Sequence, residues 1–536
     1  MKHRSSIAII LVGFFLIISC NTEYRDTIVP STNNYEDLVA FFTEWREFQK
    51  PEYNEGVPDY SAVAVKKQKE GIPEIKEKLL SIDTAGWTVP QQVDYMLVEA
   101  EINGLVFDHE VLRPWSRNPL FYTVIQMHEA DVPAREGPEL YGVLNVFEYN
   151  FPLTESDQEI FREKLAAIPR ILDQAKKNLV EEAGDLYFLA IRQKKGEARD
   201  LVALSERLAS NPELSELALA AMSSVEDFIT WLEKKHEGMK SYSGIGKDNY
   251  TRYMKEVHLV PYTWEEQVEL ISRELERSLA ALAMEEHRNR HLPALEPAGS
   301  LEEMQKRKKE TVEDFMNFLR DKEIFTVADY MQLDDEVSNY LTEEERDFFT
   351  HVDYHHCMPL ECHMIHWLEK QREKSNTHPI RGNALLYNIW DSRAEGLATG
   401  FEELMMQAGI VEDEPRAREL FHIMLAFRAI RALGELYLHS GEWSLREAID
   451  YAVEKTPRGW ISAESNTIHG DYAIYLAQPG YGTSYVIGKL QLDRLIADRK
   501  DQLGDQFVLK EFFDDYFTRG VIPASLIRLE MTGRGD

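Results

Sequence analysis

Residues 351–366 read HVDYHHCMPLECHMIH and hold five of the sixteen histidines of the chain, with two cysteines and one glutamate. Imidazole, thiolate and carboxylate groups are the usual ligands of zinc, and imidazole also transfers protons near neutral pH. His355, Glu361 and His363 offer nitrogen and oxygen ligands, and Pro359 is expected to bend the chain between them. The alternative is a set of hydrogen-bonded core histidines beside a solvated acidic helix. Helical periodicity taken alone favours that alternative.

The apolar spacing of most of the chain is that of α-helices, and alternating strand patterns are few and short. Residues 156–180 repeat apolar positions every three or four residues, and Thr263 stands at a plausible N-cap. The sequence therefore predicts a mainly α fold, a large helical body over residues 37–536. At most two lobes are expected, 37–255 and 256–536.

Polar side chains on the later helices are further candidates for a site. Glu395 and Glu402 are seven residues apart, which places them on one face of a predicted helix. His439 ends another helix before Ser440-Gly441, and a histidine there is either structural or part of a site. Tyr485 follows a Pro-Gly turn and is either a core phenol or a donor aimed into a site.

The first nineteen residues have the pattern of a bacterial export signal. Lys2 and Arg4 precede an apolar run, and residues 17–20 (IISC) resemble a lipobox. This predicts a lipoprotein signal peptide at 1–19, lipidation of Cys20, and a polar tether over 20–36. Acyl chains would hold the protein on a bacterial membrane of the cell envelope. We expect the outer membrane, with the body in the periplasm or at the cell surface. A signal peptide cut elsewhere or an uncleaved anchor is the alternative.

The amino-acid composition limits the classes of molecule that the protein is expected to bind. A net charge of −33 argues against a nucleic acid partner, because phosphates would be repelled. Cys357 and Cys362 are the only cysteines besides Cys20, so disulfides do not build the fold. After the signal, no apolar run approaches the roughly 18 residues of a membrane span. The sequence does not indicate an oligomeric state.

Several motifs occur in an order that resembles one bacterial family. They are Tyr354-His355 with Pro359, Glu395-Gly396 with Glu402, Arg428 with Arg431 and His439, Pro479-Gly480 with Ser484-Tyr485, and Gly520 with Pro523. Residues from about 40 to 535 resemble the bacterial domain-of-unknown-function family 885. That family is helical and itself resembles zinc metallopeptidases of the gluzincin type.

The resemblance implies a catalytic site in which several functional residues differ from those of the family motif. His355, Glu361 and Glu395 stand at the positions implied for metal ligands, and Glu361 replaces a family histidine. His356 replaces the glutamate that would act as general base, and would take its role. Tyr485 and His439 would be candidates to stabilise an oxyanion. Two carboxylates and one histidine would let Mn or Fe compete with zinc.

Two functions follow from these changes. The favoured one is a metallopeptidase-like lipoprotein that is non-catalytic or strongly impaired and binds a peptide or similar ligand. The alternative is an active, atypical metal-dependent hydrolase, a peptidase that uses His355, Glu361 and Glu395 as ligands and His356 as base. The cofactor of an active form would be zinc or another divalent metal.

Overall fold

The structure is a computed structural model that describes residues 33–130, 132 and 140–535. The predicted signal peptide, the lipidation site Cys20 and the tether as far as residue 32 lie outside the described residues. The described chain is mainly α-helical with a few short strands, so the predicted fold class is confirmed. Within the same residues no helix is long and apolar enough to cross a membrane.

The helices, in chain order, are α1 Tyr35–Phe48, α2 Ala62–Leu80, α3 Val89–Phe107, α4 Pro114–Arg117, α5 Glu155–Asn178, α6 Gly184–Arg207, α7 Pro212–His236, α8 Lys247–Glu256, α9 Trp264–Asn289, α10 Leu301–Asp321, α11 Phe348–His355, α12 Met358–His363, α13 Ile365–Glu373, α14 Asp391–Ala408, α15 Ala417–Ser440, α16 Leu445–Lys455, α17 Asn466–Ala477, α18 Tyr481–Leu503, α19 Leu509–Thr518 and α20 Ala524–Thr532. Strands β1 (Tyr53–Asn54) and β2 (Val57–Pro58) pair antiparallel, and β3 (Ile125–Gln126) and β4 (Leu144–Asn145) pair parallel.

Capping residues explain where many of these helices begin. Thr263, the N-cap that the sequence predicts, and Ser444 each accept a hydrogen bond from the backbone N–H three residues later, in capping boxes. At the end of α15, Gly441 takes a left-handed conformation with φ of 76°, as the predicted stop requires. Pro169 lies inside α5, which continues unbroken through it.

The inner layer of the body is formed by α14, α15 and α18. Nearly every residue of α15 is buried, including Arg428, Arg431, Glu435 and His439. A helix that is buried all round must pair its charged side chains internally, because burying an unpaired charge is costly. The centre of the fold therefore contains a network of polar side chains rather than a purely apolar core. The division into lobes near residue 255 stays a prediction.

Helices α14 and α18 approach each other closely at two glycines. A Cβ on Gly396 would lie 2.3 Å from the Cα of Gly488, which is far inside van der Waals contact. Only glycine at these positions allows the two backbones to meet. This contact brings Glu395 of α14 close to the first turn of α18.

Candidate metal centre

Three side chains from three consecutive helices converge in the interior. His363 ends α12, His366 lies in the first turn of α13, and Glu395 lies in α14. The Nε2 atom of His366 is 3.2 Å and that of His363 3.6 Å from Oε2 of Glu395. Among the described residues this is the one group of three or more such side chains whose ligand atoms all lie within 4.8 Å of one another.

The spacing of these atoms fits a metal ion. Ligand atoms about 2.0–2.2 Å from a tetrahedral ion lie roughly 3.3–3.6 Å from one another. Of the two distances to Glu395 Oε2, 3.6 Å lies at the upper end of this range and 3.2 Å just below it. The rings of His363 and His366 are nearly perpendicular, at 89°. Two histidines and one glutamate form a ligand set of catalytic zinc sites, which leave a position open for water or substrate.

A carboxylate holds the ring of His363 from its other side. Nδ1 of His363 is 2.8 Å from Oε1 of Glu402, and Arg428 binds both oxygens of Glu402 at 2.6 and 2.7 Å. Arg428 Nη2 also lies 3.0 Å from the same Nδ1. A carboxylate can only accept and a guanidinium can only donate, so the two contacts ask for opposite states of Nδ1. The contact with Glu402 is the shorter, and we place the proton on Nδ1, which leaves the lone pair on Nε2, facing Glu395.

Glu395 is held as a carboxylate. Burial by itself would raise its pKa, but hydrogen bonds and charge from His363 and His366 hold that pKa well below its usual range. Its second oxygen, Oε1, accepts a hydrogen bond from the phenol of Tyr481. One oxygen of Glu395 therefore faces the two histidines while the other is fixed by α18.

The start of α18 is in turn fixed by Glu435 of α15. The carboxylate of Glu435 accepts hydrogen bonds from the backbone N–H groups of Gly480 and Thr483 and from the Tyr250 hydroxyl. These are backbone donors that a helix start leaves without partners inside the helix. Glu435 thus acts as a cap from a neighbouring helix and sets the position of Tyr481.

Aromatic and cationic groups form one wall of the centre. The ring of Tyr485 stacks on His363 at 6.4 Å, and the guanidinium groups of Arg428 and Arg431 lie 5.7 and 5.0 Å from the Tyr485 ring. Arg431 is paired with Asp471 at 2.8 Å. Tyr485 therefore lies beside His363, and its predicted role in catalysis stays a prediction.

A cavity of about 200 Å³ reaches the centre at His366. Glu369, Lys370 and Glu373 from α13 also line it, together with residues 381–385. This volume is below the roughly 300–1,000 Å³ of pockets that enclose drug-sized ligands. It accommodates a side chain or a small molecule rather than a folded partner.

The ligand set predicted from the resemblance is not brought together among the described residues. His355 ends α11, its Nδ1 lies 2.7 Å from the carbonyl oxygen of His351, and its ring packs on Trp460. Glu361 is fully buried and forms an ion pair with Lys308. Of the predicted ligands, only Glu395 belongs to the observed cluster.

The predicted base and one predicted oxyanion donor also lie elsewhere. His356 pairs with Glu414 and, with His355, lines a separate cavity of about 840 Å³. His439 is fully buried, its Nε2 is 2.9 Å from the carbonyl oxygen of Tyr475, and burial lowers its pKa to about 4. Its neutral ring therefore holds backbone in place.

The cluster includes two histidines of the stretch 351–366 that the sequence singles out, but not His355 or Glu361. From the sequence, His363 was one of several possible ligands, and His366 was one of the five histidines in this stretch. The spacing of these two, three residues apart, is a recognisable ligand pattern on a helix. The chain bends at Met364 between α12 and α13, yet both rings still point to Glu395.

Fold and site together define a large helical body with a buried cluster of two histidines and one carboxylate. The chain belongs to a family described as bacterial protein of unknown function (DUF885), whose model matches residues 43–380 and 363–531. No curated protein sequence matches the chain.

Two solved structures share the fold. One, a candidate lipoprotein of unknown function from Shewanella oneidensis, is 14% identical with a TM-score of 0.69 and covers 93% of this chain and 100% of its own. The other, a candidate lipoprotein from Colwellia psychrerythraea, is 14% identical with a TM-score of 0.68 and covers 92% of this chain and 98% of its own.

Proposed function

We propose that this protein is an envelope-anchored lipoprotein with a metallopeptidase-like fold that binds a divalent metal ion, preferably zinc, through His363, His366 and Glu395, and hydrolyses peptide-like bonds. The observation that carries the proposal is the convergence of the two Nε2 atoms on one oxygen of Glu395. The predicted lipobox and the description of both structural neighbours as candidate lipoproteins support the location.

The metal preference differs from the one that the sequence implies. Two carboxylates and one histidine would let Mn or Fe compete, whereas two histidines and one carboxylate suit zinc. A bound ion of this kind would polarise a substrate carbonyl and lower the pKa of bound water.

The surrounding side chains have distinct tasks in this proposal. Glu402 holds the His363 tautomer that presents its lone pair, and Tyr481 fixes the orientation of Glu395. Tyr485, beside His363, is placed to donate to a substrate oxygen on which negative charge develops. The small cavity at His366 would admit one end of a peptide.

A non-catalytic function is the second candidate, and one observation favours it. Glu402, the other buried carboxylate in contact with His363, has both oxygens bound by Arg428 and so is not available as a general base. Loss of general-base catalysis typically costs about 10²–10⁴-fold in rate. On this alternative the centre binds a metal and a peptide-like ligand but turns over slowly or not at all.

Elemental analysis of the purified lipoprotein tests the metal centre. We expect about one divalent ion per chain, lost in His366→Ala and in Glu395→Gln and retained in His355→Ala. His355 is the matched control because it lies in the same stretch but outside the cluster. Loss of metal in His355→Ala with retention in His366→Ala would refute the assignment.

Turnover separates the two candidate functions. The metal-loaded protein is assayed against a library of fluorogenic peptides, with His366→Ala as the blank. Cleavage that depends on His366 supports the hydrolase. Stoichiometric metal without cleavage of any peptide supports the non-catalytic alternative, and absence of metal after loading with zinc or manganese refutes both.

A further inference from the structure

A third cavity, of about 720 Å³, lies between α1, α2 and the turn that follows α3. Aromatic side chains make up much of its lining: Phe48, Tyr60, Trp115, Phe121, Tyr141 and Tyr387. The Tyr387 ring packs directly on Gly104 of α3, where a Cβ would lie 2.3 Å from the ring. The cavity shares none of its lining residues with the cavity at His366.

One carboxyl group enters this aromatic cavity. Asp108 begins a π-helical turn, Asp108–Leu112, that continues α3, and its side chain is partly exposed within the cavity. It has no hydrogen-bond or ion-pair partner among the described residues. Insertion of a residue into a helix in this way is often found at functional sites.

The other acidic side chains of the lining are all engaged. Glu47 pairs with Lys50 and Glu52 with Lys67, and Asp59 accepts a hydrogen bond from the backbone N–H of Ser61. Both lysines of the lining are therefore paired at its rim. Asp108 is left as the one carboxyl group of the lining with neither a hydrogen-bond nor an ion-pair partner among the described residues.

Two basic side chains near Asp108, those of His109 and Arg252, do not neutralise it. The next residue, His109, is buried, hydrogen-bonds Gln68, and has a pKa lowered to about 4 by burial, so its ring is uncharged at neutral pH. Burial raises the pKa of Asp108 to about 8, so its carboxyl group is mostly protonated at neutral pH and ionises when a cation binds beside it. Arg252, on α8, is paired with Glu110. A carboxyl group in this position is stabilised by a ligand that brings its own positive charge.

We propose that this cavity is a binding site for a small organic ammonium ion, with Asp108 as counter-ion and the aromatic rings as walls. Ring faces attract cations that lie within about 6 Å, and aromatic cages are the usual way proteins recognise alkylated ammonium groups. A single carboxylate is too few ligands for a metal ion, and the described metal-ligand cluster does not include it.

A pair of probes with the same shape and different charge tests the proposal. Choline and its uncharged carbon analogue 3,3-dimethylbutan-1-ol are titrated by calorimetry into the full-length lipoprotein in detergent. We expect choline to bind at least tenfold more tightly than the alcohol. Equal affinity for the two probes, or binding of neither, overturns the proposal without any variant having to fold.

Variants locate the site. Asp108→Asn is expected to weaken choline binding at least tenfold, and Trp115→Leu to weaken it severalfold, with unchanged metal content. The control Glu52→Gln removes a rim carboxylate whose side chain is 80% exposed and is expected to leave binding unchanged. Choline binding that survives Asp108→Asn in a variant with wild-type melting behaviour would place the ammonium elsewhere and refute the assignment. Neither outcome depends on the proposed hydrolysis.

Discussion

The ion pair between Lys308 and Glu361 distinguishes a structural role for Glu361 from the ligand role that its sequence position implies. The side chains of Lys308 and Glu361 are 17% and 0% exposed, and Oε2 of Glu361 has no hydrogen-bond partner. The charge of Lys308 also acts on Asp353, so this lysine compensates one buried and one partly buried carboxyl group. Lys308→Met should therefore cost about 5 kcal/mol, the upper end of the range for breaking a buried pair.

A double-mutant cycle measures the interaction itself. Glu361→Leu is expected to cost less, about 1–3 kcal/mol, because Lys308 still faces Asp353. The double variant should recover about 1–3 kcal/mol relative to the sum of the two single losses. The free energies come from urea denaturation followed by circular dichroism, with metal content determined on the same samples.

The metal measurement decides the role of Glu361. We expect Glu361→Leu and the double variant to retain the ion, since Glu361 lies outside the cluster of His363, His366 and Glu395. Strictly additive losses in the cycle would mean that the two side chains do not interact. Loss of the ion in Glu361→Leu alone, in protein that remains folded, would restore Glu361 as a ligand and refute the reasoning.

Three further predictions concern the metal centre and the helices that surround it. Glu402→Gln should weaken metal affinity by about 10–100-fold, because a neutral amide holds the Nδ1 proton of His363 less strongly than a carboxylate does; a competition titration with a metal indicator measures this. The pKa of His439 is about 4 in the folded protein against about 6.5 in the unfolded chain. Its contribution of about 3 kcal/mol to the free energy of unfolding is therefore present above pH 6.5 and lost as the pH falls to 4. His439→Gln should reduce this loss of stability, as measured by urea denaturation between pH 6.5 and 4. Gly396→Ala should lower the free energy of unfolding by at least about 1–3 kcal/mol, because its Cβ would overlap the α18 backbone. Gly470→Ala, where a Cβ would meet open space, should be neutral or stabilising by up to about 1 kcal/mol. Thermal melts compare the two variants.

Helical elements were predictable wherever the deciding signal is local. Capping residues such as Thr263 and Ser444, and the glycine after α15, mark helix ends in the sequence because they act on neighbouring backbone groups. The seven-residue spacing of Glu395 and Glu402 predicted a shared face, and both contact His363 from α14. Such features depend on a few consecutive residues.

Membership of the metal centre was not predictable in the same way. The helical phase that links His355 to Glu361 is broken where α11 ends, since His356 is extended with φ of −165° before α12 begins at Met358. A break of this kind redirects every side chain after it. Spacing along the chain therefore cannot tell which of five histidines point to Glu395.

By itself, the sequence determined a mainly helical protein, the stretch that contains its candidate site, and the family to which it belongs. Only the tertiary structure decided which side chains meet: His363 and His366 with Glu395, and Glu361 with Lys308 instead. The physical reason is that ligation and ion pairing depend on distances of a few ångströms between different helices. Those distances are set by close contacts such as that of Gly396 with Gly488, which involve residues far apart in the chain.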